Sequence, residues 1–114
     1  MIKIEKKYYK ARIDEFCNEL RVPKEVNKFS MDLVRNKQLM SKFSNCKPEG
    51  IIAAIVYIAC LVKKHRRTQY ELKIISGVTI MTIGKKFREI REMFKELYPV
   101  EYKYLNSSLK PPFK

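Results

Sequence analysis

Tryptophan is absent from the 114-residue sequence, and only three glycines, three cysteines and one histidine occur in it. The cysteines, Cys17, Cys46 and Cys60, form no C-x-x-C pair, and His65 alone cannot complete the four closely spaced ligands of a structural zinc site. An odd number of cysteines in a chain without a recognisable signal peptide is typical of a reducing cytosol. We therefore expect a cytoplasmic protein with no metal and no cofactor.

Long apolar runs and catalytic side-chain combinations are also missing. The longest uncharged apolar run covers residues 50–62, whereas a membrane-spanning helix needs about 20 residues. A nucleophilic cysteine would need a base and an orienting group, and the single histidine lies in a basic segment without an acidic neighbour. The sequence therefore predicts no membrane span, no small-molecule substrate and no enzymatic activity.

Positive charge is what the sequence has in excess. It contains 25 Lys and Arg against 12 Asp and Glu, a formal net charge of +13. Segment 63–91 holds nine basic and two acidic side chains, so over half of the excess lies in about a quarter of the chain. Such an excess predicts a polyanionic partner, through long-range attraction and counterion release. Nucleic acid is favoured over a membrane surface, because the basic residues do not line one amphipathic helix.

Apolar residues recur with helical spacing along most of the chain, and the alternating pattern of strands is absent. This periodicity predicts an all-α domain of five helices, at 8–20, 23 to about 40–43, 48–63, 68–76 and 79–97. Residues 51–62 have no polar face, so we expect a central helix surrounded by the others. The domain would span 8–97, after a lead-in at 1–7. A tail at 98–114 either hangs free or docks on the bundle, and we favour docking.

The last two predicted helices form a helix-turn-helix at about 68–91. Thr68 followed three residues later by Glu71 is typical of a capping box, and Gly77 suits the left-handed end of a helix. In this layout the second helix enters the major groove of DNA. Four of its apolar residues are expected to face the core: Ile80, Ile83, Phe87 and Ile90.

Candidate DNA contacts follow from this layout. The outward face and first turn of the second helix would meet the groove and a phosphate, although Met81 could equally be a core residue. The basic connection before the helix-turn-helix would neutralise phosphates without reading sequence. The candidate DNA-binding residues are Lys63, Lys64, Arg66, Arg67, Thr68, Gln69, Thr79, Met81, Thr82, Lys85, Lys86 and Arg88.

Two stretches of the sequence resemble a known family. Residues 47–60 (KPEGIIAAIVYIAC) resemble the central helix of a cyclin box in archaeal transcription initiation factor B and eukaryotic transcription factor IIB. The elements RTQYE at 67–71 and GVT at 77–79, followed by Thr82, resemble the end of that family's second repeat. The resemblance covers about 8–97. It implies a five-helix cyclin-like fold whose helix-turn-helix contacts promoter DNA beside the TATA box.

The same resemblance marks departures from the family. The zinc ribbon and first cyclin repeat of full-length members have no counterpart in this sequence, and Gly84 stands where the family usually has a long basic residue. We therefore expect a stand-alone repeat that binds double-stranded promoter DNA, in the cytoplasm with the nucleoid, or in the nucleus of a eukaryote. The alternative is a protein-interaction adaptor that binds TATA-binding protein or RNA polymerase and competes with a full-length factor. A homodimer stays open.

Overall fold

A computed structural model describes the backbone of residues 6–108 and the side chains of residues 7–105. This part of the chain forms seven helices and no strand, which confirms the predicted all-α class. The helices are α1 (Lys6–Leu20), α2 (Lys24–Arg35), α3 (Lys37–Ser41), α4 (Pro48–Val62), α5 (Gln69–Ser76), α6 (Ile80–Leu97) and α7 (Pro99–Ser108). Of the predicted lead-in, residues 1–5 lie outside the described residues, and the last two begin α1.

Helix α4 is the centre of the bundle, as its apolar sequence predicts. It begins with Pro48 in its first turn, where the missing N–H costs no helical hydrogen bond. Every residue from Gly50 to Val62 is buried. Helices α1, α2, α5, α6 and α7 all pack against it. Within residues 6–108, no helix is long and apolar enough to cross a membrane.

The second predicted helix is in fact two helices, so the prediction of one helix to residue 40–43 is wrong. Asn36 ends α2 with extended backbone (φ −77°, ψ 104°) and caps α3. Its side-chain oxygen accepts a hydrogen bond from the Leu39 N–H at 3.0 Å, and its amide donates to the Tyr98 hydroxyl at 3.0 Å. This break lets Leu39 turn into the core, where it is fully buried. Apolar periodicity does not reveal a one-residue break of this kind.

The described part of the predicted tail forms α7, which packs on α4 and α6. Leu105 is fully buried, and Tyr102 packs against the core. The Lys64 ammonium lies 5.1 Å from the centre of the Tyr104 ring. The tail is therefore docked on the bundle as far as Leu105. Phe113 lies outside the described residues.

The predicted capping box at the start of α5 and the predicted left-handed glycine at its end are both confirmed. The Glu71 N–H donates to the Thr68 hydroxyl at 3.1 Å, and the Thr68 N–H donates to the Glu71 carboxylate at 2.8 Å. Gly77 ends α5 with φ +76°. Thr79 then caps α6, because its hydroxyl accepts from the Thr82 N–H at 3.2 Å.

Two glycines should respond to alanine with opposite signs. Gly77→Ala should lower the free energy of unfolding by roughly 1–2 kcal/mol, since its left-handed backbone disfavours a Cβ. Gly84→Ala should raise it by about 1 kcal/mol, because alanine is the better helix former and its Cβ would meet neighbours only at 3.5 Å and 3.7 Å. Urea denaturation of both variants checks this pair. Shifts of the same sign would contradict it.

Candidate nucleic-acid interface

The outward face of the first half of α6 carries exposed, largely cationic side chains. Met81, whose environment the sequence leaves open, is 82% exposed. Lys85 and Arg88 follow at spacings of four and three on the same face and are also exposed. Neither takes part in any ion pair within the described residues. Both charges therefore stay available to a polyanion.

Ile80 does not face the core, contrary to the prediction, because 41% of it is exposed. It occupies the first turn of α6, whereas the side chains buried on α4 begin at Ile83. The N-terminal turn of α4 contacts residues on both sides of Ile80, because a Cβ at Gly50 would lie 3.2 Å from the Thr82 methyl group and 4.0 Å from Val78. Ile80 lies between these two residues in the sequence but is left exposed.

Lys86 lies on the side of α6, and its side chain does not join the exposed stripe of Met81, Lys85 and Arg88. Its ammonium donates to the Cys46 thiol at 3.3 Å and lies 3.6 Å from the Glu89 carboxylate. The ring of Phe43 is 5.6 Å away, and only 17% of the Lys86 side chain is exposed. The Lys86 charge is therefore already engaged by Cys46, Glu89 and Phe43, and its place among the DNA contacts stays a prediction.

Lys63 and Lys64, which begin the basic connection, lie against α2 and α7. Helices α4 and α6 run side by side in the same direction, because Gly50 lies against Thr82 and Tyr57 against Phe87. Residue 63 is six residues beyond Tyr57, so it lies about 9 Å further along α4 than the level of Phe87. There the Lys63 ammonium lies 5.2 Å from the Phe29 ring, as Lys64 lies over Tyr104. The structure does not bring these two lysines together with Lys85 and Arg88.

Arg67 closes the end of α1. Its Nε and Nη2 donate to the Leu20 carbonyl at 3.0 Å and 2.9 Å, and its Nη1 donates to the Arg66 carbonyl at 2.9 Å. The last carbonyls of a helix have no partner within the helix, and a cation there also suits the helix dipole. The expectation that Arg67 neutralises phosphate is therefore not supported by its contacts. A charge pattern in the sequence could not reveal this use.

The remaining candidates described by contacts lie at the starts of α5 and α6. Thr68 and Thr79 cap the two helices, and the Thr79 hydroxyl also donates to the Thr82 hydroxyl at 3.0 Å. Gln69 is half-buried and hydrogen-bonded to Tyr57. Burial raises the pKa of the Tyr57 phenol, while the Gln69 amide and the nearby charge of Arg66 oppose the rise.

Two exposed apolar residues on α5 were missed by the sequence analysis. Tyr70 is 58% exposed and Ile74 is 63% exposed. They are four residues apart and border a groove of about 540 Å³ between α1 and α5, which Leu20 and Ile75 also line. Their spacing was available as a signal, because residues four apart share one helix face. The groove is thus a second surface, lined by no residue of α6.

The fold is therefore a cyclin-like all-α domain. Residues 4–93 match the family described as Transcription factor TFIIB repeat. The chain belongs to that family, and the matched stretch corresponds to a single repeat. The family is one of transcription initiation factors and not of enzymes.

Curated relatives agree with this assignment. Transcription initiation factor IIB 2 of Thermoplasma acidophilum is 42% identical over 78 residues, which cover 68% of this chain and 25% of that protein. Transcription initiation factor IIB of Methanosarcina mazei is 34% identical over 80 residues, 70% of this chain and 24% of that protein. The corresponding protein of Archaeoglobus fulgidus is 32% identical over 80 residues, with the same coverage. The chain spans about a quarter of the length of these relatives.

Replacing Arg67 should affect stability strongly. Arg67→Ala leaves the carbonyls at the end of α1 without their donors, so the free energy of unfolding should fall by about 2 kcal/mol. Lys85→Ala is a matched control, because Lys85 is exposed and its loss should change stability by less than about 0.5 kcal/mol. Urea denaturation measures both. Equal stability of the two variants would show that the Arg67 contacts do not hold α1.

Proposed function

We propose that this chain binds double-stranded DNA through α6, with the outward face of its first half in the major groove. One observation carries the proposal: Met81, Lys85 and Arg88 form an exposed stripe with two unpaired cations, directly after the turn that ends α5. A helix of about 10–12 Å diameter fits the major groove, which is about 12 Å wide.

The side chains of this stripe have different uses. Lys85 is a point charge suited to phosphate, and Met81 offers an apolar contact to a thymine methyl group. The first turn of α6 at Thr79 would approach a phosphate with its positive helix end. Lys63 and Lys64 become phosphate contacts only if the duplex also extends about 9 Å along α4 beyond the level of Phe87, about three base pairs.

The curated relatives are named transcription initiation factors. We therefore propose that the duplex is promoter DNA and that the chain acts in transcription initiation. Its net charge of +13 supports rapid association with DNA at low salt. A TATA-binding protein bound next to the site would add contacts without changing which face of α6 meets the groove.

A pair of double variants tests the proposal. Lys85→Ala with Arg88→Ala should abolish the preference for a duplex that carries, beside a TATA box, the DNA element bound by transcription initiation factor B over a scrambled duplex. It should also reduce the slope of log affinity against log salt by about 2. Fluorescence anisotropy across a salt series, with and without TATA-binding protein, measures both quantities.

The matched control removes the same charge elsewhere. Lys24 and Lys28 are exposed on α2, which packs on α1 and α4, while α1 lies between α2 and α5. Lys24→Ala with Lys28→Ala should therefore keep the sequence preference. If both double variants weaken binding equally on both duplexes, only net charge matters and the proposed orientation of α6 is wrong.

A second candidate function rests on the groove between α1 and α5. Exposed apolar side chains beside a groove are typical of protein interaction sites, and Tyr70 and Ile74 are such a pair. On this alternative, the chain is an adaptor that binds TATA-binding protein or RNA polymerase and competes with a full-length factor.

Replacing the apolar pair separates the two functions. Tyr70→Ser with Ile74→Ser should abolish binding to immobilised polymerase or TATA-binding protein if the adaptor function holds, and it should leave DNA affinity within about twofold, because neither residue lies on the stripe of α6. The Lys85 and Arg88 double variant should instead lose DNA affinity and keep its binding to the protein partner. Absence of wild-type binding to both protein partners would remove the adaptor from consideration.

A further inference from the structure

Gly84 leaves a gap on α6 that two polar side chains fill. A Cβ built at Gly84 would lie 3.5 Å from Nη1 of Arg88 and 3.7 Å from Oε1 of Gln69. Arg88 follows Gly84 by four residues, and helical side chains point back toward the N-terminus of their helix. The guanidinium therefore folds back over the glycine, one turn nearer the start of α6.

The side chain of Gln69 contacts a buried residue of α4. Its amide is hydrogen-bonded to the phenol of Tyr57, which is only 8% exposed. The Tyr57 ring in turn packs edge-on against Phe87, with ring centres 5.3 Å apart. The Gln69 oxygen and the Arg88 guanidinium therefore border the same space beside Gly84, which places an acceptor near the guanidinium.

We infer that Arg88, folded over Gly84 and positioned by Gln69, is the base-reading residue of this surface and that it recognises guanine. A guanidinium presents two parallel donors that match O6 and N7 of guanine, whereas a lysine ammonium is a point charge. Base edges are contacted by the N-terminal residues of a recognition helix. Folding back moves the guanidinium by about 6 Å in that direction. The inference rests on the proposed function.

The test uses the full chain and a duplex selected from a random library by wild-type binding. Each guanine of that duplex is replaced in turn by 7-deazaguanine, which lacks the N7 acceptor. At one guanine we expect affinity to fall about tenfold for the wild type, the size of one lost base contact. Arg88→Lys should show no more than a twofold effect at the same guanine while keeping its salt slope.

Variants at Gly84 and Gln69 separate positioning from charge. Gly84→Leu fills the gap and should displace the guanidinium, so the effect of 7-deazaguanine should disappear. Gly84→Ala adds only a methyl group at ordinary contact distance and should keep the effect. Gln69→Ala should weaken it several-fold without changing the salt slope. Both Gly84 replacements are better helix formers than glycine, and thermal melts show whether each variant is folded.

The outcomes distinguish the inference from the proposed function. If the wild type binds duplex DNA but responds to no single 7-deazaguanine, or if Gly84→Leu or Arg88→Lys keeps the full response, the inference is wrong and DNA binding stands. If the wild type binds no duplex at moderate salt, the proposed function and the inference both fall.

Discussion

The burial of α4 is the constraint on which the rest of the structure depends. A helix with no polar residue between Gly50 and Val62 must be covered on every side, and α1, α2, α5, α6 and α7 are all needed to cover it. On α6, the stripe from Ile83 through Phe87 to Phe94 is therefore buried in the core. The opposite face is then outward by geometry alone, so the position of the candidate interface is a consequence of core packing.

The first turn of α4 is also held to α1 and lies against the start of α6, which carries the candidate interface. Glu49 accepts hydrogen bonds from Arg12, at 2.9 Å from Nη2, and from the hydroxyl of Tyr8, so α1 and α4 are joined there. Although partial burial raises it, the pKa of the Glu49 carboxyl is held below its usual value by these donors. The pair therefore remains charged at neutral pH. Next to it, Gly50 lets Thr82 approach closely, which fixes where α6 crosses α4.

Local signals in the sequence predict local structure well here. The capping box at Thr68, the left-handed Gly77 and the buried α4 each depend on residues within a few positions of one another, and each prediction is confirmed. The break at Asn36 depends on Tyr98, 62 residues away, and could not be predicted from periodicity. For the same reason, the sequence could count the charge of Arg67 but could not show that it is used at the end of α1.

The two faces of α6 are under different constraints, and Gly84 shows this most clearly. Glycine in a helix interior costs about 1 kcal/mol relative to alanine, and on the inward stripe it would also leave a cavity against α4. At residue 84 no core side chain needs the space, because a methyl group there would meet only Arg88 and Gln69. Packing against α4 therefore does not account for the glycine. A side chain longer than alanine there would enter the space that the Arg88 guanidinium and the Gln69 amide occupy.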